Sequence, residues 1–316
     1  MPAFSELAYL ALLVLAVARA DPAHLQRAPR PVDHSAFDRI LQKTVRDGRV
    51  DYLAIRDRYW EPLQGYLSHL AQVHAAELAR EEQLAFYINL YNAAMIRAVI
   101  ERLRVGYTPA DDSWSVFDKP LVPTASGVLS LNRLEHEILR PRFGEPRIHV
   151  ALVCAAESCP PLLPRAYRGE ELDQVLEENM RRFLNDTTRN PIDRAGGRLR
   201  LSKIFDWYAA DFGGRGALAR YVSRYLPFDA AGFELAFADY SWKLNWAPPD
   251  QGRWMAVTAE RAPLRTEPGG GEAPRSAVRG EIFEVLEERD GWRRARLPFS
   301  SGEAWIDAGT VAPFSP

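Results

Sequence analysis

The sequence predicts an α+β chain: a helix-rich main domain with a small sheet, followed by a small all-β barrel at the C-terminus. Three observations carry this expectation. Residues 78–104, which include LAFYINLYNAAMIRAVIERL, are apolar almost all round, the pattern of a helix buried on every side. Between 119 and 225 short helical and β-rich runs follow one another with helices in the majority. After the Pro-Pro and Gly of Trp246 to Arg253, short alternating strands separated by glycine turns take over.

Taken in order, the chain opens with an apolar run, Leu7 to Val17, ahead of Ala18-Arg19-Ala20, a small-x-small pattern of the kind signal peptidase cuts. Residues 1–20 are read as a signal peptide and the mature start falls near Asp21. The n-region holds Glu6 and no Lys or Arg. An uncleaved anchor is the competing reading, but the run is shorter than the ~20 residues that span a bilayer. Residues 21–34, with three prolines and little periodicity, form an extended leader. Phe37, Ile40, Leu41 and Val45 recur at helical spacing behind Ser35 as a candidate N-cap, and Val50-Asp51-Tyr52 turns into the next helix.

Beyond the central helix, Lys119–Val122 and Val128–Leu131 read as a hairpin. Leu131 to Leu139 reads as a helix stopped by Pro141, and Ile148 to Val153 as a β-rich run. Leu172 to Leu184, Ile204 to Phe212 and Leu218 to Tyr225 are helical, and Arg198 to Leu201 is a short strand. The main domain spans 35–247, a linker 248–253, and the barrel 254–316, where Ile282, Val285, Trp292, Ala295 and Leu297 alternate.

Composition narrows the function. Lys+Arg 40 against Asp+Glu 42 and the absence of a basic block speak against a nucleic-acid partner. No later run is long enough for a membrane span after signal cleavage, which places the protein in the periplasm or the medium, where disulfides persist. No phosphate-binding glycine loop, serine elbow or zinc-protease helix is present, and no cofactor is expected.

Several phrases carry a family resemblance: GRVDY at 48–52, AFYINLYN at 85–92, LNRLE at 131–135 with ILR at 138–140, RIHVALVCAAESCP at 147–160, FDWY at 205–208 with Asp211-Phe212, and YSWKLN at 240–245. With them the stretch 35–247 resembles the family known as domain of unknown function 547. Val153 and Ala155 depart from the Asn and Gly common in that family, so no asparagine role carries over to position 153. The resemblance implies a shared fold and no particular reaction. Leu264-Arg265, Arg279-Gly280-Glu281, Gly291-Trp292 and Ala304-Trp305-Ile306 resemble a bacterial SH3-like domain. That resemblance implies a barrel used for attachment to a cell-wall or other envelope component. Trp292 and Trp305 are then either a binding groove or half-buried barrel residues.

The chemistry centres on His149, Cys154 and Cys159, the two cysteines of the chain sharing one segment with a histidine. One reading is a Cys154–Cys159 disulfide, closing a small loop worth roughly 2 kcal/mol. A second makes Cys159 a nucleophile activated by His149, with Glu135 or Asn89 orienting the ring. On an unbroken strand, Cys154 and His149 would lie on opposite faces about 16 Å apart, so only a loop returns Cys159 to the imidazole. A third makes the three residues ligands of a soft metal, although the spacing fits no closed zinc pattern and no metal is assigned; two inert buried thiols complete the alternatives. Asn89 and Asn92 share one face of the central helix and need a polar partner, either an adjoining loop backbone or a substrate. Glu135 is either a helix-start capping contact or an active group, while Trp207, Tyr208, Asp211 and Trp242 read as core and loop anchors in preference to a ligand cage. The leading reading is an exported envelope protein with Cys-His hydrolase or transferase chemistry. The alternative is a non-catalytic binding or scaffolding protein with a structural disulfide.

Overall fold

The computed structural model describes residues 31–249, 252–300 and 302–315, and Pro31 onward forms one compact unit. The signal peptide, its cleavage point and most of the leader lie outside the described residues. Within them no helix is long and apolar enough to cross a membrane.

The central helix runs Arg80–Ile100 and is buried along nearly its whole length, as its all-round apolar sequence requires. Against it pack Ser35–Thr44, Tyr52–Arg58 and Trp60–Leu70, in one core with Phe37, Leu41, Ile55, Leu63 and Leu67. The first of these starts at Ser35 rather than being capped by its side chain; Asp33 accepts the Ser35 N–H instead. The end of the expected leader is tied down: the Val32 N–H donates to Glu82 at 2.7 Å, and His34 is buried against Tyr66.

Between the first two helices a tight hairpin, Val45–Arg46 with Arg49–Val50, turns through Asp47 and Gly48, both at positive φ. Gly48 is required twice over, because a Cβ there would sit 2.2 Å from Pro161. Its carbonyl accepts the Leu162 N–H, so the hairpin holds the end of the cysteine loop. Asp51 then caps the second helix by accepting the Ala54 N–H.

Three expected elements are corrected. The hairpin strands are Val122–Thr124 and Gly127–Leu129, with Pro123 inside the first. The helix from Leu131 does not stop at Pro141: it passes through Leu131–Arg133, a π-helical Leu134–Leu139 and Arg140–Phe143, ending at a left-handed Gly144. Pro141 sits in the first turn of the last piece, where it lacks nothing the helix needs. Ile148 to Val153 is no strand; Pro146–Val150 is a 3₁₀ turn that opens into an irregular loop. The run is buried without strand pairing: Ile148 bonds within the turn to Glu145, Ala151 and Leu152, and Asn92 of the central helix takes the Ala151 carbonyl and the Val153 N–H.

A second cluster forms around Leu172–Leu184 and a three-stranded sheet of Ile192–Asp193, Arg198–Leu201 and Glu234–Phe237, the last pair parallel. The helical stretch after it breaks into Lys203–Trp207 and a 3₁₀ turn Ala209–Phe212.

The C-terminal region is a seven-stranded antiparallel sheet in the order Glu272–Val278, Arg261–Arg265, Glu303–Asp307, Trp292–Arg296, Ile282–Arg289, Arg253–Val257, Val311–Pro313. It is open, not a closed barrel: the two outer strands pair inward only. Every strand still contributes to one core around Leu264, Phe283 and Ile306. The sheet is seated on the helices through Leu53, Trp254 and Ile282, through the Val105 N–H to the Gly280 carbonyl, and through Trp60 against Phe299.

Candidate functional site

The loop 151–163 carries both cysteines and is fixed from all sides. Asn92 donates to the Ala151 carbonyl and accepts from the Val153 N–H, both at 2.9 Å. Asn89 does the same for Tyr167, at 2.8 and 2.9 Å. The two buried amides therefore spend their hydrogen bonds holding backbone, which satisfies groups that burial would otherwise leave costly. Arg189 donates to the Cys159 and Glu157 carbonyls, and the Asn245 N–H donates to the Ala155 carbonyl. Ala155 itself takes a positive φ of 62°.

Cys154 and Cys159 are joined in a disulfide across a Cα–Cα distance of 6.0 Å. The Cys154 N–H donates to the Cys159 sulfur at 2.7 Å, and the Cys154 sulfur lies 3.2 Å from the Tyr240 hydroxyl. With the sulfurs bonded to each other, neither is a thiolate ligand for a metal, and neither is a nucleophile in this state.

His149 sits on the 3₁₀ turn, 4% exposed, its ring stacked on Tyr208 at 3.8 Å. Nε2 donates to Asp211 at 2.7 Å, and Nδ1 faces Glu135 at 3.9 Å. Asp211 also takes a bidentate pair from Arg140, at 2.7 and 2.9 Å. Hydrogen bonds from His149 and then Arg140 hold the Asp211 carboxyl well below the usual carboxylate range. Asp211 thus orients the imidazole and leaves Nδ1 turned to Glu135.

Glu135, 5% exposed, is not a capping residue; Ser130 caps that helix by accepting the Arg133 N–H. Tyr91 and Tyr208 line the same cavity as the Glu135 carboxylate, whose charge acts on both hydroxyls. Burial first, and then this carboxylate, pushes both hydroxyls up, and burial does the same to Tyr240, so all three stay protonated as donors.

These groups line one cavity of about 420 Å³, with Trp114, Asp118, Asn132, Trp207, Trp242 and the disulfide. Residues 75–184 match the family described as protein of unknown function, DUF547. The DUF547 match takes in the central helix, Glu135, His149 and both cysteines; it does not reach Asp211, Trp207, Trp242 or the C-terminal sheet. No curated protein and no solved structure matches the chain.

The structure brings His149, Glu135, Cys154 and Cys159 to this cavity, and places Asn89 and Asn92 behind it as loop anchors. Trp207, Tyr208, Asp211 and Trp242, read from sequence as core and loop anchors, are instead cavity wall or the partner of His149. Tyr91, Trp114, Asp118 and Asn132 were not legible as site residues. Tyr91 lies one residue before Asn92 on an apolar helix, and Trp114 follows the turn-forming Asp111-Asp112-Ser113; these are the signals the sequence holds. The remaining candidates, Trp292 and Trp305, lie on adjacent strands of the C-terminal sheet, half-buried and buried respectively, with Arg289 over the Trp305 ring at 4.7 Å.

Proposed function

We propose that this chain is an exported, envelope-associated binding protein. In this reading the cavity beside His149 takes a small ligand, the Cys154–Cys159 bridge is a structural clip, and the C-terminal sheet is an SH3-like element that attaches the protein to a cell-wall or other envelope component. The observation that carries the reading is the bridge in the cavity wall: both sulfurs are consumed, while the cavity keeps apolar aromatic walls and a few convergent polar groups. Export is supported by the Leu7–Val17 run and Ala18-Arg19-Ala20, and a periplasmic or secreted location is where such a bridge persists.

A second reading, Cys-His hydrolase or transferase chemistry, is favoured by one observation: an imidazole oriented by Asp211 opens onto the cavity that both sulfurs line. In it, an external dithiol reduces the bridge to two thiols and is itself oxidised to a disulfide, and the Cys159 thiol proton then passes to His149. The thiolate attacks an acyl carbon, the imidazolium protonates the leaving group, and water or an acceptor cleaves the thioester. Mass spectrometry of mature, non-reduced protein after brief iodoacetamide treatment separates the two. A mass two protons light with neither cysteine alkylated is the expected result. Fast alkylation of Cys159 that slows in His149→Ala overturns the clip.

A further inference from the structure

We infer that the cavity's ligand is an organic cation, an alkylammonium of the quaternary type; the inference rests on the binding reading and names its ligand class. The first ground is charge. Among the described residues lining the cavity, the ionisable carboxylates are Asp118 and Glu135, and none is Lys or Arg. The nearby Arg140 lies 5.2 Å over the Tyr208 ring and is committed to Asp211 by two hydrogen bonds. Asp118 accepts from Asn132 at 2.7 Å, and Glu135 has an imidazole nitrogen 3.9 Å away. Arg140 offsets part of the Glu135 charge but spends its hydrogen bonds on Asp211, and with no Lys or Arg in the described lining the cavity favours a cation over an anion.

The second ground is the wall. Trp207 and Trp242 stack at 6.0 Å, Trp114 meets Trp242 edge-on at 5.8 Å, and Tyr240 lies within 4.9 Å of both Trp207 and Trp242. These rings pack on one another in the wall of the cavity, and a ring face, with its negative quadrupole, attracts a desolvated ammonium laid against it. Trp114 and Trp207 are 47% and 49% exposed, which a residue of this size seldom is when its task is packing.

The third ground is strain. Trp114 is carried by three consecutive non-glycine residues in the left-handed region, Asp112, Ser113 and Trp114, at φ of 52°, 56° and 60°. Non-glycine residues seldom hold this conformation, and such strain persists where a site requires it. A neutral sugar would also stack on these rings. Between the two, the carboxylates favour the cation, because a sugar gains only hydrogen bonds from them whereas a cation is attracted through the whole cavity by their charge.

The test is a titration of the mature, full-length protein with choline, followed by tryptophan emission and calorimetry. Two comparators run beside it: 3,3-dimethylbutanol, which has the shape of choline without its charge, and N-acetylglucosamine. Choline is expected to bind about tenfold or more tighter than its neutral analogue, the scale of a desolvated cation–π contact. Trp114→Ala should weaken choline by about tenfold and Asp118→Asn by a few-fold, with far-UV circular dichroism unchanged, since both side chains are exposed. Phosphatidylcholine vesicles distinguish a lipid headgroup from a free ammonium compound as its source. Equal binding of the neutral analogue, or binding of N-acetylglucosamine alone, overturns the cation and leaves the binding reading intact. If none of the three perturbs the emission, the cation also falls, and the binding reading is then judged by the alkylation result.

Discussion

Charge is buried in two places in this molecule, and on opposite terms. Where the C-terminal sheet meets the helices, the Arg56 side chain is 3% exposed and pairs bidentately with Asp57 at 2.6 and 2.9 Å while donating to the Ile282 carbonyl at 2.8 Å. Beside it Glu284 takes Arg296 at 2.9 Å and Arg58 at 3.4 Å. Every charge there has an opposite charge in contact. Beside the cavity Asp211 is treated the same way, but Glu135 has an imidazole nitrogen 3.9 Å away and no hydrogen bond from Arg140, whose charge acts on it while its donors go to Asp211. The first arrangement closes on itself and holds two parts of the fold together. The second is left open toward a cavity, which is what a ligand site requires and a packed core does not.

Breaking the closed arrangement should cost most. Arg56→Ala leaves the Asp57 carboxylate buried without its partner and is expected to lower unfolding stability by about 3–5 kcal/mol in a urea titration. Replacing the pair together, Arg56→Met with Asp57→Leu, should recover most of the loss. A cost for the double variant equal to the single would mean that the pair's charge is not what matters.

Next comes His34, remote from the cavity and buried with Nδ1 against the Tyr66 hydroxyl and Nε2 without a partner. Burial pushes its pKa down from 6.5 to about 4. The unfolded chain then binds the proton first, so this group costs nothing above pH 6.5 and destabilises progressively as pH falls toward 4, by roughly 3 kcal/mol in all. Unfolding midpoints measured across that window should show the loss, and His34→Gln should flatten it.

Removing the clip comes third. Cys154→Ala with Cys159→Ala should lower stability by about 2 kcal/mol, the chain-entropy value for so short a loop, read as a lower urea midpoint. The smallest effect runs the other way: Ser113→Gly relieves one left-handed residue and should raise the thermal midpoint slightly, by about 1 kcal/mol or less in free energy.

Much of this contrast follows from the difference between local and non-local information. The central helix, Leu172–Leu184 and the strand Arg198–Leu201 were legible because periodicity is written in neighbouring residues. The strand expected over Ile148 to Val153 failed because its first half closes into a 3₁₀ turn and Asn92, distant in sequence, takes the Ala151 carbonyl and the Val153 N–H. Asp211 could not be matched to His149 for the same reason: the two are brought together by packing of the turn at Ala209–Phe212 on Tyr208 and Phe205, not by spacing. The cysteine pair was legible as alternatives, since proximity in sequence permits a bridge without requiring it. The C-terminal strands were readable from their alternation, whereas closure depends on pairing between the outer strands, which alternation does not encode.

The most direct measurement of the contrast is the unfolding free energy of Glu135→Gln in urea, set beside Arg56→Ala. If Glu135 is held charged for a ligand and not for the fold, the amide should keep stability within about 1 kcal/mol of the parent or raise it, while choline binding weakens. A loss as large as that of Arg56→Ala would contradict the account and make Glu135 a structural charge like those at the sheet.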